Sequence, residues 1–193
     1  MRHRGTALAT PVIAVLLLGQ ALAAPFVVFP KAGALASPDG RFVVRNVARE
    51  AAASEFVGTF NSLWLFDTRT GSSRKLCDYL GVAAAAWSAG NQLIVTQYVG
   101  KKSARALVFS TAAAQDPVVL DAPTLIRLLP VELRDTLRAN DHVFIEGWRV
   151  EAETLYLTVW GYGGHDANGF RWRCEYSLHE GNISCAPAAS AAK

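Results

Sequence analysis

Residues 37–47 read Ser-Pro-Asp-Gly-Arg-Phe-Val-Val-Arg-Asn-Val, a turn followed directly by a run of β-branched and aromatic residues. Proline, aspartate and glycine supply the backbone angles of a tight turn, whereas valine and phenylalanine favour strands. A short apolar segment, 33–36, precedes the turn, and a second strand-like run, 62–67, follows and ends at the turn 68–71 before a closing strand. The stretch 33–77 is therefore predicted to hold four strands separated by turns.

The same order of strands and turns recurs twice more along the chain. It returns in residues 82–120, with Trp87 before the turn, and again in 143–186, with Trp148 in the corresponding place. A fixed order of elements at a roughly constant period is typical of a repeat architecture. We therefore predict an all-β fold, an array of about three four-stranded antiparallel sheets.

A short helical insertion is predicted between the second and third repeats, in residues 121–140. Asp121 can cap a first helix that has proline in its first turn, and Pro130 can open a second helix. Leucines recur at helical spacing in this segment, with arginines between them. Such a pattern gives an apolar stripe, which we expect to pack on the sheets.

The turn Ser-Pro-Asp-Gly at 37–40 and the run Leu-Trp-Leu-Phe-Asp-Thr-Arg-Thr-Gly at 63–71 resemble the blade repeat of TolB-type β-propellers, which is WD40-like. Ala86-Trp87-Ser88 is similar to the same repeat. The resemblance covers 33–120 by its motifs and 142–186 by strand order alone. It implies a propeller-like fold. Such blades serve as docking scaffolds and as covers on peptidases, so the resemblance does not indicate which activity the protein has.

The number of repeats leaves the closure of the array open. Propellers close with four to eight blades, and the sequence shows three. A fourth sheet completed around the helical insertion is one alternative. An open propeller-like stack and a ring closed only in an oligomer are the others, and the oligomeric state is not determined by the sequence.

The N-terminus is predicted to be a secretory signal peptide. Arg2 and Arg4 give a basic start, residues 12–18 are an unbroken apolar run, and Ala21-Leu22-Ala23 has small residues at the positions of a cleavage site. The run is too short to span a bilayer. We therefore predict cleavage near Ala23, a single domain in residues 24–187, and a disordered tail in 188–193.

Composition narrows the classes of partner. The signal peptide holds two of the 19 Lys and Arg and none of the 16 acidic residues, so the exported chain is close to neutral. No basic stripe indicates nucleic-acid binding, and no later apolar run is long enough for a membrane span. The Ala- and Arg-rich composition indicates a bacterial source. The predicted location is the periplasm, with the external medium as the alternative.

Three cysteines follow the signal peptide. Cys174 and Cys185 flank a stretch with turn residues at 179–181, so a hairpin would place them opposite one another on neighbouring strands. That separation suits a disulfide, although a shift of one residue would put the two side chains on different faces. Cys77 is then the odd thiol, and we interpret it as a small buried apolar residue, not a nucleophile.

Motifs for catalysis and cofactor binding are missing. The chain has no His-Glu-x-x-His, Cys-x-x-Cys, P-loop or dinucleotide-binding glycine pattern, and the segment 86–90 lacks the first glycine of a nucleophile elbow. Only His142, His165 and His179 follow the signal peptide, without metal-ligand spacing. We therefore predict a protein that is not an enzyme, with no cofactor and no metal site.

The glycine-rich segment 161–169 is the candidate binding region. Its glycines permit a tight or mobile loop between two aromatic strands, and aromatic rings beside polar groups can stack on a sugar or contact a protein. A long hairpin turn with aromatic core packing is the alternative that the residue types favour. The candidate binding residues are Trp160, Tyr162, His165, Asp166, Asn168 and Trp172.

Taken together, these features favour a non-enzymatic binding protein of the bacterial envelope. Its partner is expected to be another envelope protein or, as the alternative, a cell-wall glycan. A second hypothesis is a periplasmic inhibitor or immunity-type protein that blocks a hydrolase. The third and least favoured hypothesis is a hydrolase acting on the cell wall through His165 and Asp166.

Overall fold

The computed structural model describes residues 26–48, 60–111 and 115–188, which form thirteen strands and two helices. The strands are β1 Val27–Phe29, β2 Ala34–Ala36, β3 Phe42–Ala48, β4 Phe60–Asp67, β5 Ser73–Leu80, β6 Ala83–Trp87, β7 Leu93–Val99, β8 Ser103–Phe109, β9 Val118–Leu120, β10 His142–Glu151, β11 Thr154–Gly163, β12 Asp166–Ser177 and β13 Ile183–Pro187. The helices are α1 Ala122–Leu128 and α2 Val131–Arg138.

Strands β2 to β5, here called the first unit, pair in chain order as an antiparallel sheet. The turns predicted from the sequence are present: Gly40 and Gly71 adopt left-handed φ angles of 69° and 71°. Arg41 and Asp67 join the two turns through an ion pair of 2.9 Å. This hydrogen bond from Arg41 holds the pKa of Asp67 below its usual value.

The second unit, β6 to β9, and the third unit, β10 to β13, belong to one larger sheet. Strand β1 extends this sheet beside β6. Strand β8 is a branch point, because one of its edges pairs with both β9 and β10. Strand β9 is antiparallel to β8, with Ala106 opposite Leu120, whereas β10 is parallel to it, with Val143 opposite Ser103. The larger sheet is therefore mixed.

Two core clusters show that the three units lie in layers. In β7, Leu93 and Val95 point to one side and pack with the first unit. Ile94, between them, points to the other side and packs with Ile145 and Leu157 of the third unit. Because successive side chains of a strand alternate between faces, the second unit is the middle layer.

The helical insertion lies where the sequence predicted it. Asp121 caps α1, its Oδ1 atom accepting a hydrogen bond of 2.9 Å from the backbone N–H of Thr124. Leu125, Leu129 and Leu137 are buried in the cluster shared by the second and third units. The apolar stripe of the insertion therefore packs on the larger sheet.

The predicted all-β fold is confirmed, but the prediction of three separate sheets is wrong, because the described strands form two sheets. Strand β9 has three residues beside the seven of β8, so part of that edge of β8 is free for β10, and the second and third units merge. Unpaired backbone groups at such an edge favour this pairing. The described strands form two sheets, neither closed on itself.

Trp87 and Trp148 do not occupy equivalent places. Trp87 ends β6 and is 3% exposed, with its indole Nε1 donating to Leu35 O at 3.4 Å. Trp148 is 42% exposed and lies at a bulge within β10, three residues before the end of that strand.

The predicted signal peptide, residues 1–23, and residues 189–193 of the predicted tail lie outside the described residues. Neither helix in the described part of the chain is long and apolar enough to cross a membrane.

Candidate binding surface on the third unit

A disulfide joins the last two strands of the third unit. Cys174 and Cys185 lie directly opposite one another in the β12–β13 ladder, with Cα atoms 4.1 Å apart, and their sulfur atoms are bonded. The predicted pairing is therefore confirmed, since the turn at 179–181 sets the register that brings both side chains to one face. A disulfide is consistent with an oxidising compartment.

The aromatic residues of β11 and β12 lie on opposite faces of the sheet. Trp172 is opposite Val159 in the β11–β12 ladder and, like Val159, belongs to the core cluster. It is 4% exposed. Trp160 is opposite Arg171 and points to the other side, toward solvent. Trp172 thus packs the core and is left out of the candidate surface, whereas Trp160 and Tyr162 belong to it.

The solvent side of the third unit is here called the outer face. It consists of the residues of β10, β11 and β12 that alternate with the core residues, together with one bulge residue. Its aromatic and basic members are His142, Phe144, Trp148, Arg149, Tyr156, Trp160, Tyr162, Arg171 and Arg173.

Four rings at one end of the outer face form a parallel stack. His142 and Tyr162 are opposite one another, with ring centroids 4.6 Å apart, and Phe144 and Trp160 are 4.1 Å apart. All the ring planes in contact lie within 17° of parallel. Cross-strand aromatic pairs stabilise a sheet, so this ring stack makes the end of the face rigid. Its most exposed member is Tyr162, at 46%.

A β-bulge creates the other end of the outer face. The β10–β11 register shifts between Gly147 and Arg149, so Trp148 is an extra residue in β10. Without the shift, strict alternation would turn Arg149 into the core and Val150 into solvent. With it, Val150 is buried at 1% exposure, and Trp148 and Arg149 both contact the ring of Tyr156 on the outer face.

Two arginines converge on Trp148, forming what we call the guanidinium cluster with Tyr156. The Cζ atom of Arg149 lies 4.7 Å from the centroid of the Trp148 ring and 4.0 Å from that of Tyr156. Arg173, from β12, lies 5.1 Å from the Trp148 ring. A cation over an aromatic ring is attracted by its negative face, so the rings hold both guanidinium groups in place.

The guanidinium cluster lines a groove of about 850 Å³. Glu175 and Ser184 line the same groove from β12 and β13. Arg149 also pairs with Glu151 at 3.4 Å, where both side chains are close to 40% exposed. The groove therefore combines two cations, two rings, one carboxylate and a hydroxyl within one open depression.

Tyr98 of β7 borders the ring stack from the second unit. Its ring meets Phe144 edge-on at 6.2 Å, and its hydroxyl donates to Glu146 at 3.1 Å. Burial and the neighbouring carboxylate of Glu146 raise the pKa of Tyr98 above its usual value. The hydroxyl therefore stays protonated at neutral pH and keeps this hydrogen bond.

The predicted loop residues lie beyond the ring stack. His165 and Asn168 are exposed, and Asp166 opens β12, where its backbone pairs with Gly163. The backbone N–H of His165 donates to Ala139 O at 2.9 Å, which fastens the loop to the end of α2. The sequence thus located one end of the outer face. It missed the arginines, although Arg171 and Arg173 alternate with apolar residues in the printed sequence.

Within the described ranges, no group of three or more His, Cys, Asp or Glu side chains could hold a metal ion. Burial raises the pKa of the Cys77 thiol to about 12, so this thiol is protonated at neutral pH and is a poor nucleophile. Comparisons of the chain with protein-family models, curated proteins and solved structures find no match.

Proposed function

We propose that this protein is a non-enzymatic binding protein of the bacterial envelope, exported by its signal peptide, and that the outer face of the third unit contacts its macromolecular partner. The observation that carries the proposal is the set of exposed aromatic and arginine side chains on that face. Trp148 is 42% exposed and Tyr162 is 46% exposed.

The composition of the outer face supports a role in binding. Trp, Tyr and Arg are the residue types that contribute most to the affinity of protein interfaces. Here they stand on three long strands, and the disulfide joins β12 to the neighbouring strand β13. Side chains held on a sheet lose little conformational freedom on binding, which favours affinity.

The proposed fold is a propeller-like array in which each unit is one blade, as the TolB-type resemblance implies. Three layers of four strands that pair in chain order support this proposal. In such an array the outer face of the last layer is a docking surface. The periplasm is the proposed location, and the disulfide supports it because this bond persists in oxidising compartments.

The test is capture of the partner from the native envelope. The exported protein carries a tag, is cross-linked in its own host, and is compared with the variants Trp148→Ser and Tyr162→Ser. We expect both variants to lose a partner that the unchanged protein retains, although both remain folded at the temperature of the assay and lose only the small stability of their ring contacts. Trp64→Ser is the matched control, because Trp64 lies on the solvent side of the first unit. Equal capture by all of these proteins would refute the proposal.

A further inference from the structure

We infer that the groove beside Trp148 binds an acidic sugar, a pyranose ring that carries a carboxylate and belongs to a longer glycan. The carboxylate lies between Arg149 and Arg173, and the apolar side of the sugar ring contacts the part of the Trp148 indole that is left exposed. This inference rests on the proposed function, because it names the class of partner that the outer face contacts.

The geometry of the two arginines suits a carboxylate. Each guanidinium group is held against the Trp148 ring, at 4.7 Å for Arg149 and 5.1 Å for Arg173. A guanidinium group has five N–H donors, so contact of its carbon with a ring leaves N–H groups that can donate to a ligand. A carboxylate accepts two such hydrogen bonds in parallel, and two arginines on one ring offer two sets of donors.

Part of this donor capacity is unused within the chain. The Nε atom of Arg149 has no hydrogen-bond partner among the described residues, but it is buried, so a ligand in the open groove would meet the Nη atoms instead. Its Nη2 atom is 3.4 Å from Glu151, in a pair that is too exposed to be strong. Among the described residues, Arg173 forms no ion pair within 4.0 Å. A carboxylate from outside would therefore satisfy donors that the protein leaves free.

The acidic residues of the groove favour a sugar over a chain of acidic amino acids. Glu175 lines the groove and Glu151 lies beside Arg149, so a ligand with a carboxylate at every position would be repelled at these points. A sugar acid has one carboxylate for each ring and several hydroxyl groups. Those hydroxyls can donate to Glu175 and exchange hydrogen bonds with Ser184, while the C–H groups of the ring contact Trp148.

The size of the groove agrees with a short stretch of glycan. Its volume of about 850 Å³ is within the range of small-molecule sites, which runs from about 300 to about 1,000 Å³. The groove lies on an open sheet face and is not an enclosed cavity, so a longer chain can continue past it. One to a few rings would be held directly.

The test measures two sugars that differ only in charge. The exported protein is titrated calorimetrically with a uronic acid trisaccharide and with the same trisaccharide after its carboxylates have been reduced to alcohols. A charged hydrogen bond is worth about tenfold or more in affinity, so we expect the acid to bind at least about tenfold more tightly. Binding of the acid is expected to change the fluorescence of the unchanged protein more than that of Trp148→Phe.

Substitutions locate the site. Arg149→Gln and Arg173→Gln, each checked by its melting temperature, are expected to bring the affinity ratio of the two sugars close to one. Arg173 is exposed, so its variant remains informative if Arg149→Gln does not fold. Arg127→Gln on α1 removes the same charge from an exposed site elsewhere and is expected to keep the ratio.

The inference would be overturned by equal affinity for the two sugars, by no binding of the acid, or by an affinity ratio that neither arginine variant changes. Binding of a short glutamate peptide in place of the sugar would overturn it in favour of a protein partner. If neither sugar binds but capture of a partner from the envelope still depends on Trp148, the proposed function stands and only the acidic sugar is ruled out as the ligand. If capture is also independent of Trp148, the proposed function fails as well.

Discussion

Replacing both Cys174 and Cys185 by alanine is expected to lower the free energy of unfolding by about 3 kcal/mol. The two residues are 11 positions apart, so the disulfide closes a short loop in the unfolded chain. In the chain-entropy model, a loop of this length reduces the stability of the unfolded state by about 3 kcal/mol at 25 °C. For a domain of this size, that change lowers the melting temperature by roughly 6–12 °C.

The assay is thermal and urea denaturation of the oxidised protein, the reduced protein and the double variant. Reduction is expected to bring the unchanged protein close to the double variant and to leave the double variant unaffected. Cys77→Ala is the matched control, because it removes a free thiol and should keep the full response to reductant. A double variant that melts with the oxidised protein would refute the loop-closure argument.

The further predictions concern Gly164 and Cys77. Gly164→Ala should lower the melting temperature more than Gly40→Ala. Both residues have left-handed φ angles, which cost alanine about 1–2 kcal/mol, but a Cβ on Gly164 would also lie 2.5 Å from Ala139 O, whereas nothing is near Gly40. Cys77 should react slowly with iodoacetamide at pH 8, as followed by mass spectrometry, because its pKa of about 12 leaves roughly one thiolate in ten thousand. Rapid alkylation of the folded protein would contradict that pKa. Because the folded pKa of this partly buried thiol exceeds the unfolded value of 9, it ionises first in the unfolded chain, so the free energy of unfolding should fall as the pH rises from 9 to 12.

Features set by neighbouring residues were predictable from the sequence. The turn at 68–71, the cap at Asp121 and the pairing of Cys174 with Cys185 each depend on residues close together in the chain. Alternation within a strand is also a local signal, and it accounts for Tyr156, Trp160 and Tyr162 sharing one side of β11. Local signals such as these need no knowledge of the rest of the fold.

Features set by pairing over long distances were not predictable. The register of the 163–166 turn decides which residues of β12 share a face with the aromatic residues of β11. In that register Trp172 lies opposite the core residue Val159, so Trp172 is also in the core. The parallel contact of β8 with β10 joins residues 40 positions apart, Ser103 and Val143. The bulge at Trp148 depends on how β10 pairs with β11, so no local residue pattern predicted the guanidinium cluster.

Because the second unit is the middle layer, it is expected to tolerate substitutions less well than the outer face of the third unit does. Five consecutive residues of β7, Leu93 to Gln97, are buried, because both faces of this layer meet another layer. A substitution there disturbs packing whichever way its side chain points. On the third unit, the outer-face residues alternate with core residues and do not lie between two layers. New binding specificities can therefore arise by replacement of outer-face residues while the interior of the molecule stays the same.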